Sequence, residues 1–413
     1  MSFDPETYLN SLEAIGWKLG LERMELLSEE LERPQDTYDT IHVVGTNGKS
    51  SVAQMCAALI SAHGWKAGCS LSPHLEHWSE RVLVEGEEVA PEAFAAAVAE
   101  VREAAARIDA RLEGEEAVTQ FEVATAAAFV ALADAEVHAA AIEAGLGGRL
   151  DATNTIESKV TVLTSIGLDH TEWLGETELE IAAEKLAVLR PGTTLVIGRL
   201  SEEVEALARS HAAELGCEVI DAGRREPLDL ELASLGGFQR HNFTAAAAAV
   251  EVLVGELDPE AVREVAGSLV VPGRLEQIAE DPPVYFDVAH NRPGAAALAA
   301  AVPDLVEGRP VVALIGILDD KDAAGMIAEL AGAIGWAVFT ELPEEALAHA
   351  GRPGARTFPA TELKGIADDL GVLSETVPNA TEALSRAISQ ADDLDGVVLI
   401  TGSHFLLSAV LAT

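Results

Sequence analysis

GTNGKSS, residues 45–51, joins a β-rich run, IHVV at 41–44, to an apolar helical stretch, VAQMCAALISA at 52–62. Gly45 and Gly48 let the backbone turn tightly around Thr46 and Asn47 and aim its N–H groups inward. Those amides and the helix N-terminus then form a cradle for phosphate. Lys49 is placed to reach the β- and γ-phosphates of a nucleotide, and Ser50 or Ser51 to touch the shell of a Mg²⁺ ion. Val43 stands where the GxxxxGK[ST] pattern has its first glycine, so the spacing is irregular. Lys beside Gly at a strand–helix junction is still specific enough to read the loop as a nucleotide site.

Outward from the loop, short β-rich runs alternate with Ala-rich helical stretches. The expected strands are Thr40–Val44, Ala67–Leu71, Ala139–Glu143, Val160–Ile166 and Thr194–Ile197. The expected helices include Ser51–Ala62, Pro91–Ile108, Glu122–Ala133 and Leu179–Leu189. This rhythm predicts a doubly wound, mostly parallel sheet of the α/β class, covered by helices on both faces. A second series comes later, at Val284–Val288, Val311–Ile315, Ala337–Thr340 and Val397–Thr401. Pro272-Gly273 punctuates the chain between the two series, which places two domains at 1–272 and 273–413.

Ligands of such a sheet collect beyond the carboxyl ends of its strands. Three polar groups stand at those ends: Ser72, with His74, after Ala67–Leu71; Glu143 closing Ala139–Glu143; and Asp169-His170 after Val160–Ile166. Hard oxygen donors such as Ser72 and Glu143 suit Mg²⁺, which a triphosphate needs on its transferring oxygens. His170 is a less usual Mg²⁺ ligand and serves equally well to hold a water. By pattern alone, Lys185 reads as the solvated neighbour of Glu184.

Composition narrows the partners. The chain has 413 residues, 49% apolar and only 4% aromatic, so a large core must be built from Ala, Val, Leu and Ile. Its 69 acidic and 27 basic residues give a formal charge of −42, which disfavours nucleic acid and an anionic membrane as partners. Seven of the basic residues are lysines, and three of these, Lys49, Lys185 and Lys321, fall in dense polar clusters. So acidic a surface predicts a protein adapted to high salt, where screening weakens self-repulsion. Cys56, Cys69 and Cys217 form no CxxC pair and read as reduced thiols of a cytoplasm. MSFDPETYLN carries no signal-peptide pattern, and no apolar run is long enough to span a bilayer.

GTNGKSS, SPHLEHWSERVLVEG, TQFEVATAAAF, EAGLGGRLDATN, GLDHTEWLGETELEIAAEK, GGFQRHNFTAAAA, PGRLE and FDVAHNRPG occur in this order along the chain. With them the sequence resembles the folylpolyglutamate synthase/dihydrofolate synthase branch of the Mur ligase superfamily over nearly its whole length. The resemblance implies a Mur-ligase-type P-loop domain and, after it, a smaller Rossmann-like α/β domain. It implies ATP and two Mg²⁺ sites served by Ser72, Glu143 and His170, with a monovalent cation as a further expectation. The lysine matching Lys185 is carbamylated in that family, which turns a cation into a metal-binding carbamate and reverses the solvated reading. The resemblance also assigns nucleotide contacts to Asn242, Arg274, Asp287 and His290. It places Thr119, Gln120, Phe121 and Glu122, with Leu150, Asp151 and Ala152, near a pterin. Ser50 replaces a usual Gly, TELPEEALAH at 340–349 lacks an Arg often found there, and His404 takes a position normally apolar or aromatic.

The chemistry implied is phosphorylation of a pteroate or folate carboxylate by ATP, giving an acyl phosphate that the amino group of L-glutamate captures. Lys49, Lys185 and His290 are the expected catalytic residues, in a cytoplasmic monomer acting on small molecules. Two other readings are a Mur-type ligase for a cell-wall precursor and a nucleotide-binding module without ligase chemistry. The folate-type motifs stand against the first and the AHN motif at 289–291 against the second.

Overall fold

The computed structural model describes residues 3–12, 20–112, 117–226, 229–343, 347 and 355–411; Lys18 and part of the 340–349 stretch lie outside the described residues. The chain forms two compact units, Met1–Glu231 with His241–Leu269, and Leu232–Arg240 with Val270–Thr413.

The first unit opens with helices α1 (Pro5–Ser11) and α2 (Glu22–Glu30). Next come β1 (Asp39–Val44), α3 (Lys49–Ala62), β2 (Ala67–Ser70), β3 (Val82–Val84), β4 (Glu87–Glu88), α4 (Pro91–Asp109), α5 (Gln120–Asp134) and β5 (Ala139–Glu143). The remainder is β6 (Val160–Leu163), α6 (Thr171–Leu174), α7 (Glu178–Leu186), β7 (Thr194–Ile197), α8 (Glu202–Leu215), β8 (Glu218–Asp221), α9 (Gly237–Val254) from His241 onward and α10 (Pro259–Ser268). The strands lie in the order β4-β3-β2-β5-β1-β6-β7-β8. The six strands from β2 to β8 in that order are parallel, and β3 and β4 add an antiparallel edge.

The central strands are buried along almost their whole length, as strands covered on both faces must be. β5 is built from three successive alanines and Ile142, and α5 is buried along most of its length by Ala, Val, Leu and Phe129. Small side chains let elements approach closely, which is how a chain this poor in aromatics still closes a dense core. Because β1, β2, β5 and β6 are neighbours and parallel, the segments after them leave from one edge of the sheet. The 45–48 loop, Ser72, Glu143 and the 164–170 segment are gathered there by topology alone.

Three strands stop one residue short of their expected ends, at Ser70, Asp287 and Phe339, and two elements stop further short. The strand expected to reach Ile166 ends at Leu163; Thr164 N still donates to Val44 O at 2.9 Å, while the Thr164 and Ser165 hydroxyls bond the 45–48 loop. The helix expected to reach Leu189 ends at Leu186. Pro191 disfavours helical geometry in the residue before it, and Arg190 turns back to cap the carbonyls of Ala187 and Val188 at 3.2 Å. The helix begins with a capping box in which Thr177 and Glu180 satisfy each other's backbone amides.

The second unit holds β9 (Glu276–Glu280), β10 (Pro283–Asp287), α11 (Arg292–Val306), β11 (Val311–Ile315), α12 (Ala323–Leu330) and β12 (Trp336–Phe339). It ends with α13 (Ala360–Asp369), β13 (Ser374–Thr376), α14 (Ala380–Leu394), β14 (Val397–Thr401) and α15 (Leu406–Leu411). Its sheet runs β13-β12-β11-β14-β10-β9, parallel except for β9, which pairs antiparallel with β10. The α/β architecture of two mostly parallel sheets is therefore the one expected. No helix among the described residues is long and apolar enough to cross a membrane.

Gly45 makes the tightest demand on residue type near the sheet edge. Its φ is +152°, and a Cβ there would overlap Thr164 Oγ1. Gly45→Ala is expected to destabilise the first unit by about 1–3 kcal/mol, the usual cost of overpacking. Urea unfolding measures it, and an unchanged midpoint would show that Thr164 does not pack under the loop.

Candidate active site

The 45–48 loop is held from below by the segment after β6. Thr46 N donates to Ser165 O at 2.8 Å and Asn47 N to Ser165 Oγ at 3.1 Å. Thr164 Oγ1 and Ser165 Oγ donate to Asn47 O at 2.6 and 3.0 Å. The amides of Thr46 and Asn47, expected to face phosphate, are therefore committed to this clamp. The first turn of α3 keeps amides that have no intrahelical carbonyl to bond, the kind of group that can meet an anion. Gly48, with φ +85°, caps that turn, and Asn242 of α9 lies over it: a Cβ on Gly48 would come within 2.8 Å of Asn242 Oδ1. Lys49 Nζ folds back over the loop to Thr46 O at 3.3 Å. Ser51 is buried.

Glu143 binds the corner together. Its Oε1 accepts from Ser50 Oγ and its Oε2 from Ser72 N, each at 3.0 Å. The carboxylate is buried at the end of β5, so the two bonds offset the cost of desolvating it. It is the Ser72 main chain that meets Glu143 here. Carboxylate and hydroxyl oxygens at a helix N-terminus are a donor set that fits a small hard cation beside a triphosphate. Among the described residues no group of three or more His, Cys, Asp and Glu is placed to hold a metal ion. The expected set differs in kind: it draws on Ser72 and a modified Lys185 as well as Glu143 and His170.

His170 adopts a left-handed conformation at φ +50°, and its amide donates to Asp169 Oδ1 at 3.0 Å. Lys185 is not a solvated neighbour of Glu184. It is buried, and Glu184 pairs instead with Arg149, at 2.9 Å. Burial, and next the charge of Lys49, push the Lys185 ammonium down to about 7, against the pull of Asp169 and Asp151. A side chain at that value carries a substantial fraction of neutral amine near pH 7. The crowding comes from Gly148, where a Cβ would stand 2.7 Å from Glu184 O and 2.8 Å from Lys185 O.

The residues expected near a pterin divide. Thr119 and Glu122 form the capping box of α5, and Glu122 also pairs with Arg23 at 3.0 Å. Gln120 Nε2 donates to Leu9 O at 2.8 Å, and Phe121 packs on Gly145. Asp151 is buried, with burial raising its carboxyl; it accepts from Leu146 N at 2.7 Å and from Thr153 N at 3.0 Å. Ala152 is buried, and Leu150 is exposed.

In the second unit Asp287 closes β10. Burial raises its carboxyl to about 6, opposed by Arg274 and by the Ala289 amide, which donates to it at 2.8 Å. His290 Nδ1 lies 2.9 Å from Val288 O, and the ring sits 4.5 Å from that of His404. Asn291 caps α11 through Gly294 N at 2.8 Å. Lys321 keeps its side chain largely buried, 3.7 Å from Asp320.

Sequence reasoning passed over Thr164 and Ser165, whose polarity at the end of an apolar run was the available signal. It also passed over Arg81, in the 72–86 motif. Arg81 Nε donates to His74 Nδ1 at 2.9 Å.

Comparison with known proteins places the chain in a family. Residues 43–235 match the Mur ligase middle domain, and residues 273–404 the Mur ligase glutamate ligase domain. The chain is 34% identical to the dihydrofolate synthase/folylpolyglutamate synthase of Mycobacterium tuberculosis, over 95% of this chain and 87% of that one. Its structure matches Escherichia coli FolC in complex with DHPP and ADP with a TM-score of 0.85 and 30% identity, covering 98% and 96% of the two chains. It also matches a bifunctional folylpolyglutamate synthase/dihydrofolate synthase from Yersinia pestis, complexed with AMPPNP and Mn ion, with a TM-score of 0.83 and 29% identity over 100% and 98%.

The buried lysine makes stability depend on pH in a defined direction. Between about 7 and the ordinary lysine value of 10.5, the unfolded chain holds a proton at Lys185 that the folded chain lacks. Stability therefore rises with pH across that window, and the gain is lost as pH falls towards 7. Lys185→Met, compared with the parent by urea unfolding in CO₂-free buffer, is expected to flatten the slope by about one proton. Parallel curves for the two proteins would place Lys185 in water.

Proposed function

Because this chain belongs to the dihydrofolate synthase/folylpolyglutamate synthase family of Mur ligases, we propose that it uses ATP to join L-glutamate to dihydropteroate, to a reduced folate, or to both. The observation that carries the reading is the Glu143 carboxylate tying Ser50, in the first turn of α3, to Ser72, with buried Lys185 in the field of Lys49.

The first-turn amides of α3 and Lys49 hold the β- and γ-phosphates. Asn242, Arg274, Asp287 and His290 serve the nucleotide, with His290 among the catalytic groups. A carboxylate oxygen of the pteroate or folate attacks the γ-phosphorus, the bond to the β-phosphate oxygen breaks, and ADP leaves. The glutamate amine then attacks the acyl carbon, loses a proton and expels phosphate. Two Mg²⁺ ions, when bound through Ser72, Glu143, His170 and Lys185, neutralise charge on the transferring oxygens. The residues themselves contribute position and fixed charge, which is most of what phosphoryl transfer asks of a protein. The neutral amine of Lys185 attacks CO₂, forming an N–C bond and releasing a proton, and the resulting carbamate is an oxygen donor in place of a cation. A monovalent cation completes the expected set. Phe121, Leu150 and Ala152 are the parts of the pterin region left for substrate contact by the capping and loop bonds of their neighbours.

Mass spectrometry of products from dihydropteroate and from tetrahydrofolate, with ATP and glutamate, decides which bond is made. Lys49→Ala and Glu143→Ala are each expected to lower glutamate-dependent ADP release by about 100-fold or more. Lys185→Ala should lose activity and regain part of it with added short carboxylates. Near-wild-type turnover in the first two would sink the site, and in the third the carbamate.

The net charge of −42 supports an enzyme that works in concentrated salt as a monomer without nucleic-acid or membrane partners. Its unfolding midpoint is expected to rise from dilute buffer to molar KCl; a midpoint that falls over that range would remove the salt adaptation.

A further inference from the structure

A short turn, Trp78–Arg81, leads from the Ser72 loop into β3, and Leu71 N donates to Arg81 O at 2.9 Å. Arg81 is thus fixed across from the residue that precedes Ser72. Its guanidinium carbon lies 4.1 Å from the centroid of the Trp78 ring, and its Nε donates to His74 Nδ1 at 2.9 Å. The His74 ring packs on the same indole, 4.6 Å between centroids, and both rings are buried. Accepting at Nδ1 keeps His74 neutral with its proton on Nε2, in line with burial driving it down to about 2. The indole is itself pinned: its ring N–H donates to Asn10 Oδ1 and its main-chain amide to Glu6 Oε1, each at 3.0 Å.

A guanidinium offers two edges for a planar two-oxygen acceptor. In Arg81 the Nε edge is taken by His74 and one face by Trp78. The end-on edge, made of the two terminal nitrogens, bonds no protein group among the described residues. The carboxylates whose charge acts on Arg81 are Glu143, Glu80 and Glu6. Each is committed elsewhere. Glu143 holds Ser50 and Ser72, Glu80 takes the amides of Leu75, Glu76 and His77, and Glu6 takes that of Trp78. A cation this firmly braced on one face and one edge, with its fork open beside the Glu143 corner, is arranged for an anion from outside the chain.

We propose that the end-on fork of Arg81 binds the carboxylate of the folate-type substrate that is to be phosphorylated. The inference rests on the ligase reading above. Phosphate is provided for by the α3 amides and Lys49, whereas a planar carboxylate is what two parallel N–H groups fit best. An anionic substrate must also come up to Glu143 and a triphosphate in a chain of charge −42, and a fixed local cation offsets that repulsion. Arg81 then selects substrates that carry a free carboxylate.

The test compares Arg81→Gln and Arg81→Lys with the parent, using calorimetry for ADP, a folate substrate and its carboxamide analogue, together with glutamate-dependent ADP release. ADP affinity and the unfolding midpoint are expected to stay unchanged. In Arg81→Gln, KM for the folate should rise about 10- to 100-fold, and the preference for carboxylate over carboxamide should fall by a similar factor. Arg81→Lys, which keeps the charge without the fork, should fall between, and it carries the same readout if the glutamine variant does not fold. An active parent whose carboxylate preference survives in both variants overturns this assignment alone. Loss of ADP affinity with the folate parameters intact does the same. A parent with no glutamate-dependent ADP release overturns the ligase reading and this one with it.

Discussion

The buried carboxylate of Glu143 is the contact around which the first unit is organised. A carboxylate taken out of water at the end of a strand is costly unless its oxygens are bonded, and here each oxygen has a donor from a different segment. Ser50 comes from the helix after β1, and Ser72 from the loop after β2. β5 lies between those two strands in the sheet, so Glu143 is the natural bridge between the helix leaving one and the loop leaving the other. The alanines of β5 let this strand sit deep between its neighbours. Core packing and site geometry are thus one arrangement, and a register slip of one residue in β5 would turn Glu143 to the other face.

Charge is the second constraint. The chain is strongly acidic, yet cations stand together here: Lys49 folded over the loop, Lys185 in the field of Lys49, Arg81 in that of Glu143. Lys49 and Lys185 repel, and burial adds to that repulsion to push Lys185 towards neutrality. Asp169 and Asp151 oppose the shift without cancelling it. A solvated lysine would be protonated near pH 7; burial is what leaves a fraction of Lys185 as neutral amine there.

Much of this was legible in the sequence because parallel topology makes strand ends converge. GTNGKS after β1, Ser72 after β2, Glu143 on β5 and His170 after β6 needed only the order of elements to be brought to one edge. The features that escaped depended on partners remote in sequence. Nothing near Lys185 reveals that Glu184 will pair with Arg149, 35 residues earlier, and leave the lysine to be buried. The clamp of Thr164 and Ser165 on the loop is made by side-chain bonds to Asn47 O just past the end of β6, which periodicity does not register. Thr119 and Glu122 spell a capping box as clearly as a ligand site, and the structure uses them as the box. The antiparallel edge strands β3 and β4 are too short to show an alternating pattern.

Hydrogen-bond direction shows how the loop that crowds Lys185 is anchored. Thr153 Oγ1 donates its single proton to Asp151 Oδ1 at 2.5 Å, so it accepts from His42 Nε2, 2.8 Å away on β1. His42 is therefore neutral with its proton on Nε2, and burial, with Arg190 adding to it, pushes the imidazole down to about 3. Asp151 in turn holds Leu146 N, and Asp151 N bonds Gly148 O at 3.1 Å. The central strand thus sets the height of Gly148, and Gly148 sets how closely the last turn of α7 approaches. Through His42, Thr153, Asp151 and Gly148, β1 bears both on the 45–48 loop at its own end and on the environment of Lys185.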